Sequence, residues 1–133
     1  MQVRLIPALG GDGTTHGIIT MNDTGSDILT LYDADFTYLG NSNLYRGWQP
    51  GVRVTDANGM ARYFRSILVE VLLVGNGDIP WRSNWIVEKA IVKRDIVPRL
   101  SGVGIRKHLY FGTAPGNHYL AVATTKSGLL SLL

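Results

Sequence analysis

Short segments in which apolar and polar residues alternate, separated by turns rich in glycine and asparagine, make up most of the chain. Alternation with a period of two is typical of β-strands that bury one face. The pattern predicts strands over residues 3–8, 15–21, 28–32, 52–55, 60–73 and 85–92. We therefore expect a mainly β protein.

The connections between these strands are predicted from their turn residues. Asn58-Gly59, between two of the predicted strands, is among the strongest hairpin signals. The sequence also predicts a capped turn or short helix at 33–39, a loop at 41–51 and a turn at 75–78. Residues 105–111, entered through glycines, give the one short helix that we expect.

The C-terminal segment holds two apolar runs, residues 119–123 and 129–133, joined by a polar stretch. A hairpin is the structure that this arrangement predicts. An apolar terminus of this kind needs cover, either from its own core or from another chain.

Composition limits the classes of function. The 133 residues, 45% of them hydrophobic and 16 of them glycine, fit one globular domain spanning residues 1–133. No run of about 18 apolar residues occurs, so no membrane span is expected. The net charge of +3 comes from scattered basic residues, so nucleic-acid binding is not expected. The chain has no cysteine and no visible signal peptide, so we expect an intracellular, cytoplasmic protein.

Candidate chemistry centres on Asp23-Thr24-Gly25, which lies between two apolar segments. An aspartate in a tight turn commonly does no more than cap backbone amides. A carboxylate beside a glycine is also open to close approach by another backbone, because glycine has no side chain. A second carboxyl group held beside the first would create a general acid and base pair.

The string Asp23-Thr24-Gly25-Ser26-Asp27 resembles the hallmark of the retropepsin-like aspartic proteases, the half-size relatives of pepsin. Residues 54–64 look like the flap hairpin of that family, and residues 99–111 look like the glycine element and helix that brace its catalytic loop. The resemblance covers most of the chain and is nearest to the longer, retrotransposon-derived variants. It implies a closed, barrel-like acid-protease fold with one short helix, in which each subunit supplies half of the site.

The resemblance implies a homodimer, because the chain contains a single Asp-Thr-Gly string. Its catalytic residues would be Asp23, Thr24 and Gly25. The Asp23 carboxyls of the two subunits would share a proton and activate a water that hydrolyses a peptide bond in a peptide or polyprotein. Thr24 would bond to the opposite loop, and the C-terminal tail would lie in the dimer interface. No cofactor is implied.

The resemblance also assigns residues to substrate binding and to support of the loop. The substrate-binding residues would be Ser26, Asp27, Ala57, Asn58, Gly59 and Met60. The supporting residues would be Gly102, Gly104 and Arg106. Both glycines fit the position of the bracing glycine, and Arg106 is expected to pair with Asp27.

Other chemistries fit the sequence less well. The three histidines lack the spacing of metal ligands, so no metal site is expected. No Gly-x-Ser-x-Gly nucleophile elbow occurs. One alternative stays open, a retropepsin-folded module with weak or lost catalysis that serves in dimerisation or peptide binding. Asn22 favours it, because the family usually has an apolar residue before the catalytic aspartate, whereas the intact Asp23 favours the active protease.

Overall fold

The computed structural model of the chain describes residues 1–75, 81–94, 98–116 and 118–133. The protein is mainly β, with 40% strand and 17% helix. The strands are β1 Gln2–Leu5, β2 Thr15–Gly17, β3 Leu29–Tyr32, β4 Trp48–Thr55, β5 Ala61–Leu72, β6 Ile86–Lys93, β7 Tyr110–Gly112 and β8 Ala121–Ala123. The α-helices are α1 Val103–His108 and α2 Lys126–Leu132, and Pro7–Leu9 and Asp33–Thr37 form 3-10 helices.

Six strands form one sheet in the order β2-β1-β5-β6-β3, with β4 also paired to β5. β5 is the longest strand, and it pairs along one edge with β4 and then β1, and along the other edge with β6. β3 runs parallel to β6, whereas the other pairs in this sheet are antiparallel. β7 and β8 form a separate antiparallel pair.

The sheet is open. Within the described residues, β2 and β3 lie at the two ends of the strand order and do not pair with each other. These end strands have only 3 and 4 residues, too few for the matched, staggered pairing that closes a barrel. The closed barrel expected from the sequence is therefore wrong.

The core lies under the face of the sheet to which alternate residues of β5 point. Ile67, Val69 and Val71 of β5 are fully buried there, and each contributes about 1.5–3 kcal/mol through burial. Ile105 of α1 belongs to the same cluster, and α1 packs against β6. The core thus fixes α1 on the sheet.

The hairpin predicted around Asn58-Gly59 is confirmed, with β4 and β5 as its arms. The amide of Asp56 donates to the carbonyl oxygen of Met60 at 2.9 Å and closes the turn. Gly59 has a φ of +79°, in the left-handed region that favours glycine. β4 begins at Trp48, so the predicted loop at 41–51 extends too far into this strand.

The C-terminal hairpin is wrong in its second arm. Residues 121–123 form β8, but the second apolar run lies in helix α2. Thr125 caps that helix by accepting a hydrogen bond from the Gly128 amide at 3.0 Å. Leu129 then packs on Ala121 and Ala123 from the next turn. The described residues therefore contain two α-helices where one was expected.

Smaller boundary differences occur elsewhere. Helix α1 ends at His108, so residues 110 and 111, which were expected to be helical, lie instead in β7. The 3-10 helix Asp33–Thr37 confirms the capped turn predicted there. The turn predicted at 75–78 lies outside the described residues from position 76. Among the described residues, no helix is long and apolar enough to cross a membrane.

Candidate active site

The loop that carries Asp23 runs from Met21 to Thr30, and residues 99–101, the threaded segment, bond to both of its ends. On one side, the Met21 amide donates to the carbonyl oxygen of Arg99 at 2.7 Å, and the Ser101 amide donates to that of Met21 at 2.9 Å. On the other side, the Thr30 amide donates to the carbonyl oxygen of Leu100 at 3.0 Å. The ends of the Asp23 loop are therefore held by one and the same stretch of chain.

The loop itself forms a tight turn around the Asp23 side chain. Asp23 is half-buried, whereas Thr24 and Gly25 are exposed. The Gly25 amide donates to Asp23 Oδ1 at 2.9 Å, and the Ser26 amide donates to the carbonyl oxygen of Asp23 at 3.2 Å. The Asp23 amide donates to Ser101 Oγ at 3.2 Å. These bonds orient a carboxyl group that still has an accessible edge.

Arg106 holds the same loop from α1. Its guanidinium donates to the carbonyl oxygen of Asp23 at 2.8 Å and to that of Ser26, and it lies 3.3 Å from Ser101 Oγ. Charged donors make stronger hydrogen bonds than neutral ones. Arg106 therefore clamps the turn by its backbone, and none of these bonds uses the Asp23 carboxyl group.

The expected ion pair between Asp27 and Arg106 is wrong. The Asp27 side chain is exposed and has no ion pair among the described residues. Its carbonyl oxygen accepts from the Val103 amide at 3.3 Å, which ties the loop to the start of α1. The guanidinium prefers the loop carbonyls because they converge on it, whereas the Asp27 carboxylate is solvated.

Gly102 and Gly104 are both needed, because a side chain at either would collide with Glu88, and one at Gly104 also with the carbonyl oxygen of Val87 at 2.5 Å. A Cβ placed on Gly102 would lie 1.7 Å from Glu88 Oε2, and a Cβ on Gly104 would lie 1.8 Å from Glu88 Oε1. Neither distance is compatible with a side chain. The two glycines that the sequence offers for one bracing position thus make room together for a carboxyl group.

Glu88 is a site residue that sequence reasoning missed. It lies on β6 and is 2% exposed, with Oε1 accepting from the Ile105 amide at 2.8 Å. Burial raises the pKa of this carboxyl group above its usual range, and the Ile105 amide and the Arg106 charge offset part of that rise. The available signal was the alternation of β6, which puts Glu88 on the same face as Ile86 and Ala90.

A second buried carboxylate, Asp35, anchors the threaded segment from its other side. Asp35 Oδ1 lies 2.6 Å from Arg99 Nη2 and 3.1 Å from His16 Nε2, and Oδ2 accepts from the Tyr32 amide at 2.8 Å. A buried carboxylate is tolerated when such partners surround it. The Arg99 side chain is thereby fixed, and so is the carbonyl oxygen that binds Met21.

The predicted flap residues form the tip of the β4-β5 hairpin. All four of them, Ala57 to Met60, are exposed. Asp56 Oδ1 accepts from the amides of Asn58 and Met60 at 2.9 and 3.0 Å and so stiffens the turn. No hydrogen bond or ion pair joins this tip to the Asp23 loop in the part of the chain that the structure describes. The structure thus brings the loop and its supports together, and these bonds do not extend to the flap tip.

A cavity of about 910 Å³ lies beside the loop. Apolar residues dominate its walls, with the polar residues Asn22 and Ser101 at the loop side. Its apolar wall includes Ile19, Trp81, Ile105, Leu120 and Leu132. The cavity therefore connects the C-terminal segment with the stretch between β2 and Asp23.

Within the described ranges, no group of three His, Asp or Glu side chains is arranged to hold a metal ion. Comparisons with protein-family models, with curated proteins and with solved structures find no match to this chain. The feature of the chain that bears on function is the Asp23 loop. It carries one half-buried carboxyl group, and its backbone is held by Arg106, Ser101 and the threaded segment.

Proposed function

We propose that the chain is one subunit of a homodimeric, retropepsin-like aspartic endopeptidase. The observation that carries the proposal is the Asp23 loop, in which Arg106 and Ser101 fix the backbone while the carboxyl group keeps an accessible edge. A catalytic carboxyl group needs this combination, because its position has to be exact to within a fraction of an ångström while its oxygens meet substrate. An ordinary surface turn needs neither support.

The chemistry requires two such loops. Peptide hydrolysis of this kind uses one ionised and one neutral carboxyl group, and two carboxyls about 3 Å apart share a single proton in the aspartic proteases. The chain contains one Asp-Thr-Gly string. A two-fold axis between two copies would supply Asp23 twice. The exposed Thr24 and Gly25 are the residues through which the loops would meet.

In the proposed reaction, the ionised Asp23 takes a proton from a water as the water oxygen attacks the scissile carbonyl carbon. The neutral Asp23 of the other subunit gives its proton to the carbonyl oxygen, and a tetrahedral diol forms. Collapse of the diol breaks the C–N bond, the first carboxyl group protonates the leaving amine, and the second recovers a proton from the diol. Both carboxyls then stand as they began.

Substrate would bind as an extended strand. The exposed flap residues Ala57 to Met60 would cover it and donate backbone hydrogen bonds, as in other cases of β-strand addition. The Asp27 carboxylate, exposed and unpaired with Arg106, would accept a hydrogen bond from a substrate amide, with Ser26 beside it. The substrate class is a peptide or polyprotein. An intracellular location belongs to the same proposal, since the chain has no cysteine.

The test is cleavage of a peptide library by the wild-type chain and by Asp23→Asn between about pH 4 and pH 7, the range in which carboxyl pairs exchange protons. The wild type is expected to cleave and Asp23→Asn to be inactive. Asp12→Asn is a matched control, because Asp12 is an exposed aspartate whose Oδ1 accepts from the Thr14 amide in a comparable turn. Equal cleavage by wild type and Asp23→Asn would rule the protease out. A wild type that dimerises and binds peptides without cleaving them would establish the binding module instead.

A further inference from the structure

The Glu88 carboxyl group is in an unusual environment. Among the described residues, Glu88 Oε2 is the only buried side-chain oxygen or nitrogen without a hydrogen-bond partner. The other oxygen, Oε1, has the Ile105 amide as its partner. A buried carboxyl group with an unpartnered oxygen is far less costly when neutral than when ionised. The geometry therefore favours the protonated form.

The surroundings of Glu88 leave it little freedom to move. Gly102 and Gly104 approach its two oxygens so closely that even a methyl group on either would collide with them. Val69 of β5 lies opposite Glu88 in the register of the sheet. The carboxyl group is thus enclosed between β6 and the start of α1, and a hydrated carboxylate does not fit without separating them.

The charged groups that face Glu88 come from α1. Arg106 and His108 both favour its ionised form, whereas burial opposes that form more strongly. β5 faces it with Val69, and the start of β3 contributes Leu29 near Gly102. Arg106 is at the same time the residue that binds the Asp23 and Ser26 carbonyl oxygens. The same guanidinium therefore holds the loop and favours the ionised form of Glu88.

We propose that Glu88 is a positioning residue that makes the Asp23 loop sensitive to acidity. With its carboxyl group neutral, α1 stays closed on β6 and Arg106 holds the loop. With the carboxyl group ionised, the contact opens toward water and Arg106 turns from the loop carbonyls to the new charge. The inference rests on the proposed function for its consequence, which is a protease most active in acid, but its structural part stands without it.

Hydrogen exchange tests the structural part directly. The Met21 and Ser101 amides bond to the threaded segment and report on the closed loop. In the wild type, their protection factors are expected to fall about tenfold for each pH unit above the point where Glu88 begins to ionise, over a scan from about pH 4.5 to pH 9. Amides of β5 in the core should keep their protection. In Glu88→Gln, which cannot ionise, the Met21 and Ser101 amides should keep the protection of the acid form throughout.

Glu70→Gln is the matched control, because Glu70 is also a strand glutamate but pairs with Arg4 at 2.8 Å. It should show the same fall in loop protection as the wild type. A wild type with flat protection, or a Glu88→Gln variant with an unchanged fall, would overturn the proposal. If Glu88→Gln does not fold, the wild-type scan still decides, since only a fall confined to the loop supports it.

The same scan in the Asp23→Asn background separates the two proposals. Suppose that loop protection falls with pH in this background and that the wild-type chain cleaves no peptide. The role of Glu88 as a positioning residue would then stand, and the protease proposal would be rejected. If the protease is active, kcat of the wild type should decline on the alkaline side while kcat of Glu88→Gln persists, with KM little changed in either. An unchanged kcat profile in Glu88→Gln would overturn the link to activity.

Discussion

Arg106 donates a hydrogen bond to the carbonyl oxygen of Asp23 at 2.8 Å across 83 positions of sequence. The proposed catalytic residue is therefore held through its backbone by a cation on α1, and its carboxyl group takes no part in the contact. Because Arg106 lies on α1, the packing of α1 on β6 also helps to position the Asp23 loop.

The Arg106 clamp predicts a loss of both stability and activity in Arg106→Gln. Hydrogen bonds from a charged donor contribute about 1.5–3 kcal/mol each, so the free energy of unfolding should fall by about 3 kcal/mol. Urea unfolding measures it, with Lys107→Gln as the control because Lys107 is exposed on the same helix. An Arg106→Gln variant as stable as Lys107→Gln would show that the clamp contributes nothing.

The contact between the glycines and Glu88 predicts that Gly102→Ala destabilises the protein. The new Cβ would lie 1.7 Å from Glu88 Oε2, and overpacking of this kind costs about 1–3 kcal/mol. Gly17→Ala is the control, because a Cβ there meets nothing within 4 Å. Combining Gly102→Ala with Glu88→Ala should recover much of the loss. A cost of Gly102→Ala that is the same with and without Glu88 would contradict the contact.

The raised pKa of Glu88 predicts how stability varies with pH. A carboxyl group whose folded-state pKa lies above its unfolded value contributes stability that is fully present below the unfolded pKa and is lost as pH rises through the folded one. The unfolding free energy of the wild type should therefore decline above about pH 4.5. The total decline is about 1.4 kcal/mol for each pH unit by which the folded-state pKa of Glu88 exceeds the unfolded one. The Glu88→Gln variant should lack this decline in denaturant titrations. A wild type whose stability rises over the same range relative to Glu88→Gln would contradict the assignment.

The flap turn predicts a milder effect in Gly59→Ala. The φ of +79° is strained for any residue with a Cβ, at a cost of about 1 kcal/mol. If the tip covers substrate, kcat/KM for peptide cleavage should fall by more than this loss of stability explains. Gly51→Ala is the control, because Gly51 lies in the same hairpin and its added Cβ makes only an ordinary contact at 3.5 Å. Equal kcat/KM in the two variants would separate the flap from catalysis.

The sequence was most informative where the chemistry is local. The Asn58-Gly59 hairpin and the half of β4 next to it follow from turn residues and alternation, and so does the turn at Asp23. The hydrogen-bond partners of Arg106 could not be predicted, because Asp27 and the loop carbonyls belong to the same short stretch of sequence. Only the folded loop shows which of its oxygens point at the guanidinium.

Other errors have comparable causes. Residues 129–133 are equally compatible with a strand and with a helix, and the Thr125 cap decides for the helix. Glu88 could not be identified from its strand, whose other inward-facing residues are apolar. Its role depends on contact with Gly102 and Gly104, which lie at the start of α1 and are distant in sequence. The closed barrel was expected because the lengths of the end strands β2 and β3 could not be predicted. Strand boundaries are the feature that sequence patterns predict least reliably.

The central claim is that two chains combine one Asp23 each into a single site, and calorimetric titration with a statine peptide, a mimic of the tetrahedral transition state, tests it most directly. The account predicts saturation at about one mimic for every two chains and no binding by Asp23→Asn. Saturation at one mimic for each chain, or binding that survives in Asp23→Asn, would contradict it.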